Sequence, residues 1–128
     1  MDRVSHFEVP YSDRERAVKF YSDVFGWEIS HVPDMSYSMV TTTPVDERMM
    51  PKESGGINGG MYERSKEISS TPVIVMEVDS CEQRVKDVEA AGGALIMAPH
   101  QVGDFGIYAQ VKDTEDNIIG VWQSLRGG

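Results

Sequence analysis

Three ionisable side chains in this 128-residue chain stand where strands would aim them at one surface: His6, Glu8 and Glu77. His6 and Glu8 alternate with Phe7 and Val9, so an extended strand puts the imidazole and the carboxylate on one face and the apolar pair on the other. An imidazole beside a carboxylate is equipment for proton transfer. A carboxylate in an apolar setting next to a second carboxylate has a raised pKa, which suits a general base near neutral pH. Tyr62, Tyr108, Trp122 and Tyr37 add flat apolar faces with polar tips, and Gln110 adds an amide; such a set fits a planar or amphipathic small molecule. Other reactive residues read as bland. Cys81 falls in the first turn of a helix, where the dipole lowers a thiol pKa, but no histidine accompanies it and a structural or surface role is expected. His31 and His100 fall at strand ends near loops and read as surface or loop histidines. The glycines of GGINGG lack the preceding strand and following helix of a phosphate loop.

The elements that must position these residues are legible in order. His6–Ser30 reads as strand, helix, strand, with Ser12 and Glu15 as a capping box, an apolar stripe of Ala17, Phe20, Tyr21, Val24 and Phe25 that needs a sheet to cover it, and Gly26 as the stop. Strands follow at Tyr37–Thr43 and Ile57–Arg64. Between them 44–56 carries prolines, glycines and charges without a period, an exposed loop in which Met49 and Met50 either tuck over an apolar edge or form part of a lid. After a polar linker, 65–71, the pattern returns. A shift of 67 places Val18 on Val85, Tyr21 on Val88, Gly26 on Gly93 and Ser12 with Glu15 on Asp79 with Glu82. A shift of 60 places Gly60, Met61 and Tyr62 on Gly120, Val121 and Trp122. The second copy predicts strand Pro72–Val78, helix Ser80–Ala91, and strands Gly93–Ala98, Gly106–Lys112 and Asn117–Gln123. The expected domain is therefore one unit over 1–128, built from βαβββ modules at 1–64 and 72–128.

His6, the helix pattern ERAVKFYSDVFGWEI and the late strand DTEDNIIGVW resemble the vicinal oxygen chelate superfamily, which includes glyoxalase I, bleomycin resistance proteins and extradiol dioxygenases. The resemblance implies an α+β fold in which two βαβββ modules form a curved mixed sheet around a cup, with the helices on the outer face. Phe7, Val9, Ile74, Met76, Val78, Ile119 and Val121 would then pack beneath the helices. Residues of opposite parity, His6, Glu8, Val73, Val75, Glu77, Tyr62, Gly60, Gly120 and Trp122, would line the cup. In metal-dependent members four ligands come from equivalent places in the two modules. Carried onto this chain, those places hold His6, Gly60, Val73 and Gly120, and a catalytic divalent ion needs about three protein ligands. No metal and no cofactor are expected. Glu8 and Glu77 with His6 would form a displaced ligand set only by moving a donor roughly 6.6 Å along the strand.

Composition narrows the partners. A formal charge of -9 argues against nucleic acid. One cysteine excludes an intrachain disulfide and fits a reducing cytosol, and no apolar run or leader-like start is read, so a cytoplasmic protein without a membrane span is expected. Superfamily resemblance and exposed strand edges predict a homodimer. Two functions follow. One is a binding module holding a small organic ligand against Tyr62, Trp122, Tyr108, Gln110 and the space left by Gly60 and Gly120. The other is a lyase- or isomerase-type enzyme using Glu8 or Glu77 with His6 for proton transfer on a carbonyl compound.

Overall fold

The computed structural model describes residues 1–125; the last residues of the second module's expected span, 126–128, lie outside them. The elements are β1 (Arg3–Tyr11), α1 (Arg14–Phe25), β2 (Glu28–His31), β3 (Tyr37–Thr41), β4 (Asn58–Glu63), β5 (Val73–Glu77), α2 (Cys81–Ala90), β6 (Ala94–Val102), β7 (Gly106–Lys112) and β8 (Ile118–Ser124). They form one eight-stranded mixed sheet in the order β2-β3-β4-β1-β5-β8-β7-β6. Within each half the first strand runs parallel to the last, and β1 and β5 join the halves antiparallel at the centre.

Strand register carries the repeat into three dimensions. His6 pairs with Val75 and Glu8 with Val73, so adding 67 to one member of a pair and removing it from the other exchanges the two pairs. Glu8 lies beside Gly60 and Val75 beside Gly120, which is the 67-residue shift on one side and the 60-residue shift on the other. The register adds a relation that the repeats do not contain. Tyr37 pairs with Tyr62 and Tyr108 with Trp122, while Met39 pairs with Gly60 and Gln110 with Gly120. Tyr37 and Tyr108 are therefore counterparts, and so are Met39 and Gln110, each 71 apart (108 − 37 and 110 − 39).

Both helix N-caps fall one residue later than the spacing predicts. Asp13, not Ser12, caps α1, accepting from the Arg16 N–H at 3.0 Å. Ser80, not Asp79, caps α2, accepting from the Gln83 N–H at 3.2 Å. A cap needs extended backbone, and Asp13 (φ -133°) and Ser80 (φ -138°) have it. β1 runs on to Tyr11, and the Ser12 hydroxyl instead accepts from the Arg64 guanidinium at 2.6 Å. Gly26 stops α1 in the left-handed region at φ 72°. In α2 that conformation falls to Gly92 (φ 101°) rather than Gly93, whose added Cβ would lie 2.5 Å from the Lys112 carbonyl.

Packing departs from the expected layers in two places. α2 buries Cys81 and Val85 against Val78, Ala109, Val111 and Val121. α1 buries no residue fully: Ala17 and Tyr21 turn inward, but Phe20, Val24 and Phe25 are 53%, 59% and 60% exposed. Ile74, expected beneath a helix, is also exposed; α2 lies over β6, β7 and β8 and α1 against β2, which leaves the outer face of the central seam open. Met49 and Met50 stay largely exposed in the long loop rather than tucking over an apolar edge. β6 extends to Val102, four residues beyond its predicted end, because β7 pairs with it along that length.

Candidate functional site

Both modules contribute side chains to the cup face. Glu8 from β1 sits at its floor, 5% exposed, and accepts a hydrogen bond from the Tyr108 hydroxyl of β7. The Tyr37 hydroxyl of β3 and the Gln110 amide also bond to this carboxylate. Gln110 donates from Nε2 to the Tyr108 oxygen at 2.9 Å, and its own carbonyl accepts from the Ser69 N–H at 2.9 Å. Tyr62 donates to the Ser69 carbonyl at 2.8 Å. The floor is thus a polar network spanning both modules and sealed by the linker. Buried polar groups are tolerated when each is bonded, and here the groups named are.

Two glycines make room for this network. A Cβ on Gly60 would collide with the Tyr37 hydroxyl, and one on Gly120 would lie 3.0 Å from the Tyr108 ring and hydroxyl and 2.8 Å from Val75. The volume that the missing side chains release is filled by the chain's own phenols, so the expectation of extra space above the glycines is corrected. Each phenol stands over the floor glycine of its own module, and both hydroxyls meet on the single carboxylate of Glu8.

Above the floor the lining is aromatic and apolar. His6 meets Trp122 edge to face, with ring centroids 5.8 Å apart, and Trp122 lies 6.4 Å from Tyr108. Trp122 is held flat across Gly106, where an added Cβ would come within 2.6 Å of the indole. Val73, Val75, Met97 and Val102 complete this cluster. His100 is a surface histidine within β6 rather than in a loop, paired with Tyr108, and its exposed ring meets the Tyr108 ring edge to face at 6.2 Å. His31 ends β2 and is exposed.

Burial sets the charges. Desolvation lowers the His6 pKa to about 4, so the imidazole is neutral, with its Nδ1 3.0 Å from the Ser5 hydroxyl. Desolvation raises the Glu8 pKa, against the opposing pull of its bonds to Tyr108, Tyr37 and Gln110. Burial, and then the charge of Glu8, push the Tyr37 and Tyr108 phenols far up, so both remain donors. The cause at Glu8 is therefore burial rather than the second carboxylate expected from sequence. Glu77 pairs with Arg3 while Glu8 pairs with Val73, which puts the two carboxylates four residues apart along β5, about 13 Å. The structure brings together His6, Glu8, Tyr62, Tyr108, Gln110 and Trp122 over Gly60 and Gly120, and places Glu77 beside Trp122 in the register of β5 and β8, far from Glu8. Cys81 is buried under α2, its thiol 3.7 Å from the Val121 carbonyl and pushed up to about 11 by burial.

Two residues of the floor escape sequence reasoning as principals. Tyr37 shares cup parity with Met39, opposite to buried Ser38 and Val40, and only the strand register shows it as the counterpart of Tyr108. Ser69 lies in a segment with no periodic signal at all, and its role appears only in the folded network.

Two βαβββ units side by side around a cup, with helices on the outer face, define a glyoxalase-type fold. Comparison with known proteins agrees. A family model described as "Bleomycin resistance protein-like N-terminal" matches residues 3–43. A "Glyoxylase-like domain-containing protein" of Didymella fabae is 30% identical over 125 residues, covering 90% of this chain and 88% of the relative. "Putative glyoxylase CFP32" of Mycobacterium tuberculosis is 29% identical over 119 residues, 90% of this chain but 43% of the relative, so the chain spans less than half the length of that protein. Among solved structures, Streptomyces coelicolor methylmalonyl-CoA epimerase superposes with a TM-score of 0.63 at 14% identity, covering 95% of this chain and 94% of the epimerase. A Vibrio splendidus member of the glyoxalase/bleomycin resistance protein/dioxygenase superfamily superposes at 0.59 with 17% identity, covering 97% and 100%. The chain belongs to the glyoxalase/bleomycin resistance protein/dioxygenase superfamily, the vicinal oxygen chelate group.

The metal ring that this membership implies does not fit the residues present. Of the four places only His6 carries a donor; the side-chain positions of Gly60 and Gly120 are crowded by Tyr37 and by Val75 with Tyr108, and Val73 is apolar. Among the described residues no group of three or more His, Cys, Asp or Glu side chains is arranged to hold an ion. Nor is any described helix long and apolar enough to cross a membrane.

Proposed function

We propose that this protein binds a small organic ligand in its cup without the superfamily's usual metal. The observation that carries the reading is the floor itself: phenols from both modules converge on one buried carboxylate where the ring would need donors around a cation. Above it, Trp122 and His6 offer half-buried rings on which a planar molecule can stack. Tyr62, Tyr108, Gln110, Gly60 and Gly120 shape the floor under that ligand. In this reading the chain is one domain, works in the cytoplasm without nucleic acid or membrane, and pairs as a homodimer of twice 14.3 kDa, with exposed Phe20, Val24 and Phe25 supporting association. The test is fluorescence of a Trp27→Phe variant, in which Trp122 alone reports, screened against aromatic and carbonyl metabolites, together with elemental analysis. Saturable quenching lost in Trp122→Ala and substoichiometric metal are expected. One tightly held equivalent of metal, lost in His6→Ala, would overturn the reading.

A second function, proton transfer on a carbonyl compound, is favoured by one specific feature: Glu8 has a raised pKa and a phenol partner, a pairing that suits acid–base work. The fold neighbour named as a methylmalonyl-CoA epimerase is consistent with it. Exchange of an α-proton of a cup ligand with deuterium, abolished in Glu8→Gln, is the expected sign; exchange unchanged in that variant would remove the reading.

A further inference from the structure

Tyr37 and Tyr108 are counterparts by register, yet they are held differently. Tyr108 is 8% exposed and clamped, since Gln110 two residues on donates to its hydroxyl at 2.9 Å and is itself anchored by the Ser69 N–H. The counterpart of Gln110 is Met39, whose thioether has no N–H to give the Tyr37 hydroxyl. Tyr37 is half-buried as a whole residue, although its hydroxyl lies as deep as that of Tyr108, and it opens β3 directly after the exposed hairpin turn 33–36, in which Asp34 has φ 64°. Its hydroxyl nevertheless reaches the floor, bonds to Glu8 and occupies the side-chain position of Gly60.

We propose that the Tyr37 phenol is a displaceable stand-in for the ligand, and that the cup takes a phenolic small molecule whose hydroxyl donates to Glu8 above Gly60. This names the ligand class of the cup-binding reading and rests on it. When the Tyr37 side chain rotates out, the slot it leaves has the shape of its own ring. Gly60 forms one wall, Tyr62 lies across the strand pair, and Glu8 and Tyr108 stay at the bottom, held by bonds that do not involve Tyr37. A site whose buried acceptor loses a donor when the hydroxyl is missing discriminates strongly against the analogue without one. Because the native side chain competes for the slot, apparent affinity in the wild type is reduced by the fraction of molecules in which Tyr37 is out.

The probe is p-cresol, which is the tyrosine side chain itself, with toluene as the analogue lacking the hydroxyl. Titration calorimetry on the wild type, Tyr37→Phe and Tyr37→Ala should give p-cresol affinities rising in that order, with at least about a tenfold gain from wild type to Tyr37→Ala. Toluene should bind each protein at least about tenfold more weakly than p-cresol. In Tyr37→Ala the further change Gly60→Ala should abolish p-cresol binding. If Tyr37→Ala does not fold, the wild type labelled with ring-13C tyrosine carries the test: p-cresol should shift the Tyr37 resonance selectively and leave Tyr108 in place. Equal p-cresol affinity across the three proteins, or toluene binding as tightly as p-cresol, overturns the proposal. So does an unmoved Tyr37 resonance at saturation. A non-phenolic compound that quenches Trp122 and binds wild type and Tyr37→Ala alike would sink this inference while leaving the cup reading intact; silence from phenols and from the whole metabolite screen would sink both.

Discussion

The two modules share a chain path but spend their side chains differently. Beneath α2 lie Ala109, Val111 and Val121, small enough for the helix to settle until Cys81 and Val85 are buried. Beneath α1 the layer is aromatic: Trp27 stacks on Tyr21 at 4.7 Å, with the planes 6° apart, and Phe7 lies 5.4 Å from Trp27. That thick layer stands α1 off the sheet, so its chief contact is with β2, while α2 reaches β6, β7 and β8. The same asymmetry runs through the cup. β1 supplies His6 and Glu8, whereas the equivalent places on β5 hold Val73 and Val75, and the second module answers with Tyr108 and Gln110 on β7. Duplication gives a symmetric frame, and the site arises where that symmetry is broken.

The largest expected effect follows from His6, which titrates, set against Val73, which does not. The His6 pKa falls from 6.5 to about 4 on folding because burial disfavours the cation. The unfolded chain therefore takes up this proton at a higher pH than the folded one. The resulting stabilisation is complete above pH 6.5 and is lost as pH falls toward 4, a loss of up to about 3 kcal/mol. Glu8 acts in the opposite sense. Its folded pKa lies above the ordinary carboxylate value of 4.5, so its contribution is complete below 4.5 and is lost as pH rises through the folded value. Urea unfolding of the wild type and of His6→Val between pH 7 and 4 should show a steeper downward slope in the wild type than in the variant, which keeps only the part due to carboxylates such as Asp46, Asp87 and Asp113. Parallel curves would mean that the His6 site is wetter than its burial implies.

Next in size is the contrast between the helices. Val18 and Val85 are equivalent by the 67-residue shift, but Val85 is buried and Val18 only partly so. Val85→Ala should cost about 2 kcal/mol through lost transfer energy and a cavity, while Val18→Ala should cost under about 1 kcal/mol, since solvent can fill the gap. Chemical denaturation of the two variants checks this. Equal losses would mean that α1 is packed as tightly as α2 in solution and that Phe20, Val24 and Phe25 are covered there, as pairing of two chains would do.

The frame was far more legible than the floor. Alternation in HFEV and helical spacing in AVKFYSDVF are local patterns, and a repeat written twice gives the order of elements, so the two modules could be read directly. Cup parity also put His6, Glu8, Tyr62 and Trp122 on one face. What spacing cannot express is competition for space. Gly60 and Gly120 read as vacancies because a sequence does not show that Tyr37 and Tyr108, on neighbouring strands, bend over them. Glu77 shares a face with Glu8 by parity alone, and only the antiparallel register separates them along the strands. The stripe on α1 was periodic yet largely exposed, because periodicity marks a side of the helix without saying how close the sheet lies.

The smallest effect tests the part of the comparison in which the modules should agree. Helix caps act through a single hydrogen bond at the end of a helix, so their worth should not depend on the layer packed beneath the helix. Asp13 and Ser80 stand 67 apart, have near-identical extended backbone, and each accept from the N–H three residues on. Asp13→Ala and Ser80→Ala should therefore cost similar amounts, about 1 kcal/mol each, although the neighbouring valine truncations differ. Ser12→Ala should cost only a few tenths of a kcal/mol, because its hydroxyl meets the exposed Arg64 guanidinium and no helix N–H. Thermal unfolding of the three variants separates the possibilities. A Ser12→Ala loss as large as that of Asp13→Ala would return the cap to the position that the serine–glutamate spacing predicts, and would move the start of α1 one residue toward the N-terminus in solution.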